Sequence, residues 1–61
     1  MRAYELIKCK RQALGLTQKE FAEIVGVSTG TISKFELGEQ VSEVIFKVIK
    51  SEALFYFSNL D

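Results

Sequence analysis

The residues from Thr17 to Gly38, TQKEFAEIVGVSTGTISKFELG, leave this chain little choice of fold. Two helix starts lie within them, eleven positions apart. Thr17 is placed as an N-cap, with a hydroxyl able to accept an orphan N–H of the first turn. Glu20 can accept the Thr17 N–H and complete a capping box, and Leu16 and Phe21 hold the positions of a hydrophobic staple. The pattern returns with Ser28 as cap and Val27 and Ile32 as staple, although Thr31 stands where the carboxylate would be. Gly26 and Gly38 mark left-handed helix ends, which a residue with a Cβ adopts only at a cost. Phe21, Ile24 and Val25 give the first helix an apolar stripe, and Ile32 and Phe35 give one to the second. Ala22 beside the stripe is small enough for a close crossing. The result is a helix corner that can hold one helix outward.

Sixty-one residues make one domain, 1–61, near the lower limit for folding alone. A chain this short often needs a staple such as a disulfide, a metal or a partner subunit. The lone Cys9 cannot form an internal disulfide, and with no histidine the common zinc-ligand sets are missing, so no metal site is expected. A partner subunit is the staple that remains. With no proline and no useful strand-like alternation, an all-α fold of four to five short helices is expected. Met1-Arg2-Ala3-Tyr4-Glu5 does not lead into an apolar run, and no stretch approaches the length of a membrane span. A cytoplasmic protein without membrane contact is expected, and a single cysteine fits a reducing compartment. No catalysis and no cofactor are expected, because there is no histidine, no convergent carboxylate pair and too little chain to enclose a cleft. Cys9, between Lys8 and Lys10, reads as a half-buried helix residue.

The first helix is expected from about Arg2 to Leu14, with Ala3, Ile7 and Leu14 facing inward and Leu6 beside them. Arg11 falls on that stripe, where a charge needs a partner. Glu36, four residues after the inward Ile32, is the matching carboxylate, and an Arg11–Glu36 ion pair is expected. A further helix is expected from about Glu43, with Val41 and Phe46 as staple, Ser42 as cap, and Val44, Ile45, Val48 and Ile49 as its apolar face. The pattern leaves open whether Ser51-Glu52 caps a fifth helix or lies within one long one. Tyr4 is expected against the end of this helix or the aromatics beyond it. Leu54, Phe55, Tyr56 and Phe57 are apolar on every side. Two of them are expected to finish the core and the rest to meet a second copy, so segment 51–61 reads as a dimerisation or partner-binding element.

Net charge is zero but unevenly spread. Residues 1–19 carry five cations, Arg2, Lys8, Lys10, Arg11 and Lys19, against Glu5, a net +4, and residues 20–61 carry a net −4. One basic face on a neutral protein is compatible with a nucleic-acid partner.

Taken as a set, Ile7, Arg11, Gly15-Leu16-Thr17-Gln18, Glu20-Phe21-Ala22, Gly26-Val27-Ser28, Ile32-Ser33, Glu36 and Gly38 are specific. From about Leu6 to Ile49 the chain resembles the Cro and phage-repressor type of helix-turn-helix proteins, small bacterial and phage transcription regulators. The resemblance implies a lambda-repressor-like fold with the motif at about 18–37. It also implies a homodimer that binds double-stranded DNA at a two-fold symmetric operator. Thr29, Gly30 and Lys34 match the outward positions that contact bases. Gln18 matches the family glutamine that bonds a phosphate and braces the recognition helix. Ser28 and Ser33 match positions that touch phosphate or a base, and Lys8, Lys10 and Lys19 are expected to flank the same face and contact phosphate. Gly30 has no side chain where the family usually has a reader, and Glu39 replaces a common cation. The competing reading is a protein-interaction module of the same fold, such as an antirepressor or antitoxin-like partner of a second regulatory protein. Zero net charge, Gly30 and the aromatic C-terminus favour it, while the lysines around a Thr- and Ser-lined helix favour DNA.

Overall fold

Four helices organise residues 2–60, which a computed structural model describes: α1 (Ala3–Ala13), α2 (Gln18–Val25), α3 (Thr29–Glu36) and α4 (Glu43–Ser58). No strand occurs among the described residues. Each start is fixed locally. Arg2 is the extended N-cap of α1, and its N–H donates to the Glu5 carboxylate at 3.0 Å. At α2, Glu20 N–H donates to Thr17 Oγ1 at 3.0 Å and Thr17 N–H to Glu20 Oε1 at 2.8 Å, a complete capping box. At α3, Ser28 Oγ accepts the Thr31 N–H at 3.2 Å and shares a second hydrogen bond with Thr31 Oγ1 at 2.8 Å. A hydroxyl pair thus stands where α2 has its carboxylate. Ser42 caps α4 by accepting the Ile45 N–H at 3.1 Å.

The first three helices end alike. Gly15, Gly26 and Gly38 have positive φ, and in each case the next residue donates back five positions: Leu16 to Arg11, Val27 to Ala22 and Glu39 to Lys34. This bond satisfies carbonyls that would otherwise be orphaned.

The core comprises Ile7, Phe21, Ala22, Val25, Ile32, Phe35, Ile49 and Ala53. Leu16, Ile24, Val27, Val41, Ile45 and Phe46 close its rim, half-buried. Ala22 is buried where α2 and α3 meet, so its small side chain permits the tight corner.

Several expectations are corrected. Leu14 is the C-cap of α1 and is 45% exposed, because the helix ends at Ala13 and the chain turns away there. Val44 and Val48 are exposed as well. The inward face of α4 is instead Ile45, Phe46, Ile49, Ala53 and Phe57. Ser51-Glu52 starts no new helix: α4 continues unbroken to Ser58, because Ala53 and Phe57 extend the stripe begun by Ile49. Segment 51–61 is therefore largely the second half of α4, and Asp61 lies outside the described residues. The Tyr4 ring lies against Gly38, before α4, and not against the C-terminal aromatics. Cys9 is exposed, not half-buried, since it sits opposite the Ile7–Arg11 side of α1.

Candidate nucleic-acid interface

One polar cluster holds α3 in place. The Glu36 carboxylate accepts three hydrogen bonds: from Arg11 Nε to Oε2 at 2.6 Å, from Arg11 Nη2 to Oε1 at 3.0 Å, and from Gln18 Nε2 to Oε1 at 3.0 Å. Arg11 Nη1 donates to the Leu16 carbonyl at 2.6 Å. The two charged side chains are only 9% and 2% exposed. Such burial is tolerable because the guanidinium meets the carboxylate as a planar fork and Gln18 supplies a further donor to Oε1. Among the described residues no buried side-chain nitrogen or oxygen lacks a partner. The cluster joins α1, the α1–α2 connection, the first residue of α2 and the last of α3. It therefore sets the angle at which α3 is presented.

The inner side of α3 is Ile32, Phe35 and Glu36, all buried. Its outer side is open. Gly30 and Lys34 stand one turn apart on the outermost face, with Thr29 and Ser33 one turn apart on its flank. Thr29, Gly30 and Lys34 are exposed and Ser33 is half-buried. The four present a hydroxyl with a methyl, bare backbone, a second hydroxyl and an ammonium. Gly30 differs from the other three glycines. Its φ is not positive, and a Cβ built on it meets nothing within 4 Å. Neither backbone nor packing requires glycine there.

Sequence reasoning overlooked Leu37. It is the C-cap of α3, is 67% exposed, and follows Lys34 by three positions on the same outer side. The i, i+3 spacing was the available signal.

Anion-binding groups surround this helix unevenly. The first turns of α2 and α3 leave backbone N–H groups pointing outward. Ser28 Oγ caps α3, yet its proton is free if Thr31 donates in the hydroxyl pair. Gln18 keeps its carbonyl oxygen and one N–H beyond the bond to Glu36. Lys19 is exposed at the start of α2. Lys8 and Lys10 do not flank one face as expected. Two positions apart on a helix, they leave its axis on opposite sides, and the Lys10 ammonium lies 6.0 Å above the Phe57 ring.

The aromatic segment divides. Phe57 stacks on Phe21, with centroids 6.0 Å apart and planes within 9°, and Tyr56 meets Phe57 edge-on. Both are half-buried, whereas Leu54 and Phe55 are 54% and 69% exposed.

No described helix is long and apolar enough to cross a membrane. Comparison with protein families matches residues 7–47 to the family described as helix-turn-helix. No curated protein and no solved structure matches the chain significantly.

Proposed function

This chain belongs to the helix-turn-helix family of DNA-binding regulators, and we propose that it is a sequence-specific, cytoplasmic transcriptional repressor that binds a two-fold symmetric operator as a homodimer. The observation that carries this reading is the contrast between the two sides of α3. Its inner side is fixed by core packing and the Arg11–Glu36–Gln18 cluster, and its outer side offers hydrogen-bonding and cationic groups to solvent. A rigid helix with an unoccupied polar face suits the major groove.

In that groove Thr29 donates to a base acceptor or sets its methyl on thymine, and Lys34 reaches O6 and N7 of guanine. Gly30 lets the helix backbone come close between them. Gln18, Lys19, Ser28, Ser33 and Lys8 position the helix through phosphate, aided by the N-termini of α2 and α3. Lys10, turned over Phe57, contributes through the general field and not through a contact. One α3 reads few base pairs, so two copies on half-sites about one helical turn apart supply the required length.

Selection of bound sequences from a random duplex pool tests the reading. A two-fold symmetric motif supports it in full. A single unrepeated motif leaves DNA reading standing and removes the homodimer. Absence of enrichment, with no retention of duplex in a low-salt gel shift, favours the same fold acting on a second regulatory protein.

A further inference from the structure

The outer side of α4 carries a second apolar stripe that the core does not use. Val44, Val48, Ser51 and Phe55 follow one another at spacings of four, three and four, opposite the inward Ile49 and Ala53. Val44 is 70% and Phe55 69% exposed, and Leu54 borders the stripe at 54%. A spacing that alternates three and four keeps these residues on one face, as the seam between two paired helices requires. In that register Lys47 and Glu52 fall at the two positions flanking the seam, on opposite sides of it.

We infer that this stripe is the dimer seam, and that two α4 helices pair in parallel with Lys47 of each copy bonded to Glu52 of the other. The flanking charges decide the direction. In a parallel pair, Lys47 lies beside the residue five positions later on the partner helix, which is Glu52, and the two-fold axis makes the contact twice. An antiparallel pair centred on Ser51 places like flanks together and brings the two Glu52 carboxylates close, which opposes it. Lys47 is available for the contact. Its bond to Glu43 within the helix is 3.5 Å long, with side chains 74% and 82% exposed, so solvent already screens it. Ser51 at the middle of the seam lets the helices approach closely. The seam also revises the part played by the aromatic segment: Phe55 and Leu54 belong to it, while Tyr56 and Phe57 turn inward. Parallel pairing leaves the two α3 helices at the same level along the dimer axis, as a shared duplex requires.

The inference rests on the homodimer reading above, and sedimentation equilibrium of the full chain separates the two. The wild-type chain is expected to dimerise, and Phe55→Ser to leave a folded monomer. Lys47→Glu alone and Glu52→Lys alone are each expected to weaken the dimer about tenfold, because two attractions become two repulsions. The double variant Lys47→Glu/Glu52→Lys is expected to regain wild-type association, since the swapped charges still face each other. Equal weakening in the double and single variants overturns the parallel register. A wild-type monomer up to millimolar concentration overturns the seam. If that monomer still shifts duplex DNA, the DNA reading survives the loss.

Discussion

At Glu36 a carboxylate that is 2% exposed depends on three hydrogen bonds, two of them from Arg11. Removing Arg11 leaves that charge buried with only Gln18. Arg11→Ala is therefore expected to destabilise the fold by about 3–5 kcal/mol. For a domain of this length that is most of the available stability, roughly 0.05–0.15 kcal/mol per residue. Urea titration measures it. An unchanged midpoint with weaker DNA binding would make Arg11 a phosphate contact instead. Lys34 is exposed on the outermost face of α3, so Lys34→Ala is expected to leave the melting temperature alone. It should weaken specific binding by about 1–3 kcal/mol and relax preference at one base position. Titration against operator variants decides this, and unchanged preference removes Lys34 as a reader. Arg11 was legible in the sequence because a cation on an apolar stripe demands a partner, and Glu36 was the carboxylate at matching spacing. The bonds from Arg11 to the Leu16 carbonyl and from Gln18 to Glu36 were not, since they depend on how three segments converge.

Helix ends were the most legible elements, because a cap is settled by residues three or four apart. Thr17, Ser28 and Ser42 each accept the N–H three positions on. The interior of α4 was less legible. Ser51-Glu52 has the chemistry of a cap, but burial of Ile49 and Ala53 on one continuous stripe outweighs that local preference. The four glycines separate local from tertiary causes. Gly26 and Gly38 both need positive φ, but a Cβ on Gly26 meets open space and one on Gly38 would lie 2.8 Å from Tyr4 Cζ. Gly26→Ala is thus expected to cost about 1–2 kcal/mol, and Gly38→Ala more. The excess should vanish in a Tyr4→Ala background. Equal costs in the wild-type background would show that Tyr4 yields freely. Gly30→Ala runs the other way. It is expected to stabilise the free protein by up to about 1 kcal/mol, because no contact opposes the methyl, while weakening DNA binding where the backbone must come close. Thermal melts and gel shifts on one preparation read both effects, and a stabilised variant with undiminished binding would remove Gly30 from the interface.

Across the whole molecule charge is balanced, eight cations against eight anions, so no net charge draws the protein to DNA. Attraction has to come from a few placed groups. Of the cations expected near α3, Lys8, Lys19 and Lys34 remain once Arg11 is bonded to Glu36 and Lys10 is set over Phe57. With Gln18, the two serines and the helix N-termini, the proposed DNA reading has about four to six phosphate contacts per subunit to draw on. Counterion release then predicts that log K falls with log salt at a slope of about −4 to −5 for each subunit engaged. If two copies bind one operator, the slope on a symmetric site is about twice that on an isolated half-site, because the second subunit brings its own phosphates. Fluorescence anisotropy on full and half operators over a range of potassium chloride measures both. Equal slopes on the two duplexes would mean that one α3 binds at a time. Acidic groups elsewhere, Glu39 among them, should make affinity rise less than this contact count alone implies as salt is lowered and their repulsion is no longer screened. On the proposed reading, a helix with so few readers gains specificity by being presented twice, and the spacing between its two copies is then as much part of the recognition as Thr29 and Lys34 are.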